Sequence, residues 1–238
     1  MGVYDQEYKM ILRSTQWVFS RLKKSLYQGE GFSLIRIGDG ETRAIAHNDL
    51  ISMDAIPPWL SYAGVELPDK GLKDKLLKSI RCADIIGLPF EKNYFFKPLM
   101  LEIIKKYGLA FSNICNNRIN YDLYTLGYLN SLLKGRRIII VGRKAAEAAG
   151  CFAAANLVAT YDLPGMYGVD NTYREISKKR DFEIALVAAG IPAVVLCPKL
   201  ARLDKIALDL GHVLDSIVTP DKSLFQLMGE WLKENNFS

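Results

Sequence analysis

Asp39 and Glu41 stand one residue apart, with Gly40 between them and Gly38 before them, at the end of the apolar run Leu34, Ile35 and Ile37. Two carboxylates this close offer hard oxygen ligands, which suit Mn²⁺ or Mg²⁺. The glycines let backbone approach a ligand. Spacing alone does not single the pair out. Average composition gives about one Asp-x-Glu by chance in a chain of this length, and this chain has three: Asp5/Glu7, Asp39/Glu41 and Asp181/Glu183. Only the middle pair follows an apolar run that reads as a strand. The same residues also read as an Asp-Gly turn, and both readings stay open on the residues alone.

Arg36 sits inside that apolar run and needs a partner there. Its guanidinium could orient Asp39 or Glu41, reach a phosphate, or form a structural ion pair. Gly190-Ile191-Pro192 joins an apolar strand to a helix, and a helix N-terminus after a glycine is a candidate anion site. Gly142 ends another strand. It is followed by Arg143 and Lys144, which could bind phosphate but read rather as surface charges, and it lacks the GxGxxG dinucleotide fingerprint. Arg118, in "NNRINYD", is a further phosphate candidate. His212 closes the last strand in Gly211-His212 and could ligate a metal, contact a nucleotide, pair with Cys197 or be structural. No GxSxG elbow or P-loop is present.

These residues need elements to hold them. Tyr4, Tyr8, Ile11, Thr15, Val18, Leu22 and Leu26 recur every three to four residues, which predicts an amphipathic helix over 3–28. A strand follows at Phe32 to Ile37, then a long irregular loop over 48–68 that could serve as a lid. Helices are expected from Lys70 to Arg81, Phe95 to Tyr107 and Tyr121 to Leu133, and strands at Asp84 to Leu88 and Leu109 to Ile114. In the second half the expected strands are Arg136 to Gly142, Gly165 to Val169, Phe182 to Gly190 and Lys205 to His212. The helices between and after them are Lys144 to Ala159, Asn171 to Arg180, Pro192 to Leu203 and Leu224 to Glu234. Continuous apolar strands alternating with helices predict an α/β, Rossmann-like fold: a mostly parallel sheet with helices on both faces, as one domain over 1–238. Ligands of such sheets bind beyond the carboxyl ends of the strands.

Composition narrows the class. Half of the 238 residues are hydrophobic, enough for a sizeable core. The net charge of +5 is small and dispersed, which suits an acidic or phosphorylated ligand and argues against nucleic acid. Two histidines rule out a His-rich zinc site. The four cysteines are widely spaced in or beside apolar runs and read as buried free thiols in a reducing cytoplasm. No apolar run is long enough to span a membrane, and no signal-peptide or myristoylation pattern is seen.

Three segments together resemble a known family. "SLIRIGDGE", "KGRRIIIVG" and "VAAGIPAVVLCPKLARLDKIALDLGH" are similar to segments of the bacterial GT-D-fold glycosyltransferases. The resemblance implies a GT-D-type Rossmann-like fold, a nucleotide-sugar donor (typically a UDP-hexose), a Mn²⁺-type ion on Asp39 and Glu41, and a glycan, glycoprotein or small acceptor. Arg36 is expected to join Asp39 and Glu41 in catalysis. Gly38, Gly40, Arg118, Gly142, Gly190, Ile191, Pro192 and His212 are the residues expected to form the donor site. The stretch "GRKAAEAAG" and the Val-Leu-Asp-Ser after Gly-His depart from the family's pattern, so the resemblance leaves donor base and sugar open. A reaction that inverts the sugar would need a base, for which Asp215 and Glu66 are candidates. Two other readings remain: a different Rossmann-like enzyme for a phosphorylated small molecule, and a silent partner subunit. Homo-oligomerisation is left open.

Overall fold

A computed structural model describes residues 2–90 and 96–234. In chain order the elements are β1 (Gly2–Asp5), β2 (Met10–Arg13), α1 (Thr15–Gln28), β3 (Phe32–Arg36), α2 (Asp39–Ala46), α3 (Leu72–Cys82), β4 (Ile85–Leu88) and α4 (Phe96–Tyr107). Then come β5 (Ile114–Asn116), α5 (Ile119–Thr125), α6 (Tyr128–Leu133), β6 (Arg137–Val141), β7 (Asn156–Tyr161) and α7 (Val169–Lys178). The chain continues with β8 (Ile184–Val187), α8 (Ile191–Ala201), β9 (Ile206–Asp209), α9 (Val213–Val218) and α10 (Leu224–Glu234).

Among the described residues nine strands form one sheet, in the order β1-β2-β5-β4-β3-β9-β8-β6-β7. Every neighbouring pair is parallel except β1 and β2. The α/β, mostly parallel architecture read from the apolar strands is the one observed. Alternation along the strands feeds two cores. Ile35, Ile37, Ile139, Val141, Ala185 and Val187 face α2, α3, α4, α7 and α8. Leu34, Ile138, Ile140, Ile184, Leu186 and Leu208 face α1, α5, α6 and α9. Helix α8 is buried from Ile191 to Pro198 without a break, as a helix enclosed on all sides must be. β3, the first central strand, lies beside β9, the last. Their carboxyl ends therefore bring residues from opposite ends of the chain together.

The structure departs from the sequence expectations in several places. The first residues form a hairpin, not a helix. Asp5 Oδ1 accepts from the backbone N–H groups of Glu7 and Tyr8, at 3.1 and 2.8 Å, which closes the turn between β1 and β2. Helix α1 starts only after Ser14, whose hydroxyl caps Trp17 N. The alanine-rich stretch 144–159 is a 3₁₀ turn (Glu147–Gly150) followed by edge strand β7. Pairing with β6 and the β-favouring Leu157, Val158, Thr160 and Tyr161 override the helix propensity of its alanines. Residues Gly165 to Val169 contain a 3₁₀ turn (Met166–Gly168), not a strand. β5 begins where the expected strand ends, because its ladder to β4 runs from Ile114 to Asn116. The helix expected over Tyr121 to Leu133 is split by Gly127, whose φ of 72° ends one helix and caps the next. Phe95, the expected start of α4, lies outside the described residues. The loop over 48–68 carries two 3₁₀ turns, Met53–Ala55 and Pro58–Ala63. All four cysteines are free, but only Cys115 and Cys197 are buried; Cys82 and Cys151 are exposed. No helix among the described residues is long and apolar enough to cross a membrane.

Candidate active site

A cavity of about 790 Å³ opens at the carboxyl ends of the strands. Its size falls within the range of small-molecule sites. Five strands deliver residues to it: Arg36 at the end of β3 and Gly38 to Glu41 after it, Arg118 after β5, Arg143 and Lys144 after β6, Gly190 after β8, and Gly211, His212, Leu214 and Asp215 after β9. Trp59 and Tyr62 from the Pro58–Ala63 turn and Lys222 and Glu230 beside and within α10 close the remaining sides.

The two carboxylates of the Asp-x-Glu pair occupy the first turn of α2, where the helix dipole favours negative charge. Glu41 reaches back to accept the Gly38 N–H at 2.8 Å. Burial and the charge of Asp209 push its carboxyl up to about 7, against the pull of that bond and of Arg36. Asp39 is more exposed, and its carboxylate lies 3.4 Å from the Arg43 guanidinium. Arg43 itself stands over the rings of Trp59 and Phe96.

Of the roles open to Arg36, the structure shows the ion pair, and its partner is neither Asp39 nor Glu41. Its guanidinium donates to Asp209 Oδ1 at 3.1 Å, to Asp209 O at 3.2 Å and to Asn117 O at 3.3 Å. The Arg36 N–H also donates to Asp209 Oδ2 at 3.1 Å. Arg36 thus ties β3, β9 and the start of the β5–α5 connection together beneath the cavity. A carboxylate in the apolar run of β9 was the missing partner. Two charged residues, each inside its own apolar strand, were the available signal. Gly211 is fitted to this pair: with φ at 47°, a Cβ there would lie 1.8 Å from Arg36 Nη2.

The remaining expected donor residues divide. Gly38, Gly40, Arg118, Gly190 and His212 line the cavity. Gly142, Ile191 and Pro192 are not among the lining residues and pack against other parts of the chain. A Cβ on Gly142 would meet Ala188 O at 2.2 Å. Ile191 is fully buried, and Pro192 packs on Gly64. Gly190 has the same character, since a Cβ there would lie 2.5 Å from Ala63 O. The Gly-Ile-Pro turn therefore seats the Pro58–Ala63 turn against the cavity. Arg143 and Lys144, read as surface charges, form part of the wall. Arg143 donates to Tyr62 O at 2.8 Å, and its guanidinium lies 4.3 Å from the Tyr62 ring centroid. Desolvation and Asp215 push the Tyr62 hydroxyl up to about 12 despite Arg143. His212 bonds Asp215 rather than Cys197, which is enclosed in α8 with its thiol pushed well up by burial. Glu66 is exposed and away from the cavity lining.

The family model of the GT-D fold-like domain matches residues 13–217. The chain belongs to the GT-D fold-like family. Its match covers every strand that feeds the cavity; the β1–β2 hairpin, which lies almost wholly outside it, contributes no lining residue. A solved structure described as a new glycosyltransferase (domain of unknown function 1792) from Streptococcus sanguinis superposes with a TM-score of 0.59 at 17% identity, over 95% of this chain and 86% of that one. A second, described as a conserved domain of unknown function 1792 with a distinct glycosyltransferase fold, gives 0.55 at 18% identity over 93% and 86%. The fold of this GT-D chain is thus a glycosyltransferase fold. No curated protein matches it.

Proposed function

We propose that this GT-D chain is a divalent-metal-dependent glycosyltransferase of the cytoplasm. It moves a hexose from a nucleotide-diphosphate sugar, a UDP-sugar first, to a glycan, glycoprotein or small acceptor. One observation carries the reading: two carboxylates and the cations Arg118, Arg143 and Lys144 line one cavity at the strand ends. A diphosphate brought there meets both signs of charge.

Asp39 and Glu41 would hold the ion. Among the described residues no group of three or more His, Cys, Asp or Glu could cage a metal. Mg²⁺-type ions, however, are ordinarily held by one or two carboxylates with substrate phosphates and water completing the shell. The donor set therefore fits an ion shared with the diphosphate, and without a cation the two carboxylates would repel that group. When bound, the ion supplies charge stabilisation to the departing diphosphate. Arg118, Arg143 and Lys144 add fixed positive charge where the leaving group gathers negative charge, a gain that grows toward the transition state. Arg36, held by Asp209, keeps the floor beneath the turn of Gly38 and Gly40 in place. Trp59 and Tyr62 offer aromatic faces to the base or the sugar.

A thermal-shift panel of nucleotide sugars with Mn²⁺ tests the reading. A ligand at one hundred times its Kd should stabilise the fold by about 2.7 kcal/mol. A UDP-sugar is expected to raise Tm with Mn²⁺ and to lose most of that effect with EDTA. A panel in which no nucleoside diphosphate or nucleotide sugar shifts Tm overturns the reading and favours a silent subunit.

A further inference from the structure

We propose that His212 is the general base of the transfer, oriented by Asp215, and that the reaction inverts the anomeric centre. This rests on the glycosyltransferase reading above. The His212 side chain is 40% exposed and lines the cavity. Its Nδ1 lies 2.9 Å from Asp215 Oδ2. A carboxylate only accepts, so Nδ1 carries the proton and Nε2 keeps its lone pair. That tautomer is the one a base requires, and a carboxylate behind the ring also stabilises the imidazolium that forms.

The dyad is braced from outside its own helix. Lys144 Nζ lies 3.8 Å from Asp215 Oδ1 and donates to Thr219 Oγ1 at 3.3 Å. The imidazole is parallel to the Tyr62 ring within 7°, with centroids 6.0 Å apart, and Arg143 stands over that same ring. The charged and titratable groups around His212 are thus Asp215 on α9, Arg143 and Lys144 after β6, Tyr62 on the 3₁₀ turn, Arg36 beside Gly211, and Lys222 with Glu230 across the cavity. The other acids are less suited. Asp39 and Glu41 are assigned to the ion, Glu66 lies off the cavity, and Glu230 is paired with Lys222 at 2.8 Å.

In the step, the acceptor hydroxyl gives its proton to His212 Nε2 as its oxygen bonds to the anomeric carbon. The bond from that carbon to the diphosphate oxygen breaks, and its electron pair leaves with the nucleoside diphosphate. Attack opposite the leaving group inverts the centre. His212 then returns the proton to solvent.

The test uses the full chain with Mn²⁺ and UDP-glucose, water serving as acceptor. Early proton NMR spectra read the anomer released, and calorimetry with UDP reads binding separately. Glucose of the opposite anomeric configuration to the donor is expected. His212→Gln should bind UDP as the wild type does while kcat falls about 10²- to 10⁴-fold, with the acid limb of the kcat profile lost. Asp215→Asn should lower kcat at unchanged KM, because the ring loses the acceptor that orients it. Retained configuration, full rate in His212→Gln, or a wild type that binds UDP yet hydrolyses no donor overturns this proposal and leaves the binding reading intact. A wild type that binds no nucleoside diphosphate overturns both.

Discussion

Replacing Glu41 by glutamine removes a charge that the native fold holds against burial and against Asp209. The carboxyl is raised from an ordinary 4.5 to about 7. Between those values the native state binds the proton more tightly than the unfolded chain does, so stability falls as pH rises through that window. The full gap corresponds to about 3 kcal/mol above pH 7 and to less than about 1 kcal/mol at pH 5. Glutamine is uncharged throughout and keeps an oxygen for the Gly38 N–H. Glu41→Gln is therefore expected to be more stable than the wild type by about 3 kcal/mol at pH 8, or roughly 6–12 °C in Tm for a chain of this size. Near pH 4.5 the two should converge. Urea titrations at pH 5 and pH 8 measure this directly. A variant no more stable at pH 8 than at pH 5, relative to wild type, refutes the claim that the fold strains this carboxylate. The same variant should lose donor turnover, since a neutral amide is a poorer ligand for a divalent ion.

Other perturbations follow from the same geometry. Asp209→Ala leaves the Arg36 guanidinium without its carboxylate and should cost about 3 kcal/mol in denaturant unfolding; it should also bring the midpoint of Glu41, followed by NMR, down from about 7. Gly211→Ala forces a side chain into a left-handed backbone and onto Arg36, and should cost at least about 1–2 kcal/mol with loss of donor turnover. Pro192→Ala lies outside the cavity lining and should leave UDP affinity within about two-fold, since its contacts are to Gly64 rather than to a ligand.

The centre of the sheet was legible because its strands are near-continuous apolar runs, the pattern of a parallel sheet covered on both faces. The hairpin was not, since Tyr4, Tyr8 and Ile11 satisfy a helical spacing as well as an extended one. The decisive feature there is a side-chain bond from Asp5, which no periodicity reports. The alanines of 144–159 misled for a related reason: propensity is local, and the edge of β6 is not. Within the site, Asp39 and Glu41 were marked by their place after a strand. Asp209 escaped notice because its partner lies 173 positions away, across the sheet. Arg143 and Lys144 looked like solvated charges until the fold turned the end of β6 toward the same cavity. Ile191 and Pro192 differ in the opposite sense. Of the Gly-Ile-Pro turn only Gly190 lines the cavity, while Ile191 is fully buried and Pro192 packs on Gly64.

Calorimetric titration of UDP into the wild type and into Asp39→Ala/Glu41→Ala, each with Mn²⁺ and with EDTA, tests the central claim most directly. The wild type should bind UDP with Mn²⁺ and at least tenfold more weakly with EDTA, a difference of about 1.4 kcal/mol or more. The double variant should bind weakly in both conditions and gain nothing from Mn²⁺. Equal, metal-enhanced UDP affinity in the double variant would contradict the assignment of Asp39 and Glu41 to a shared ion.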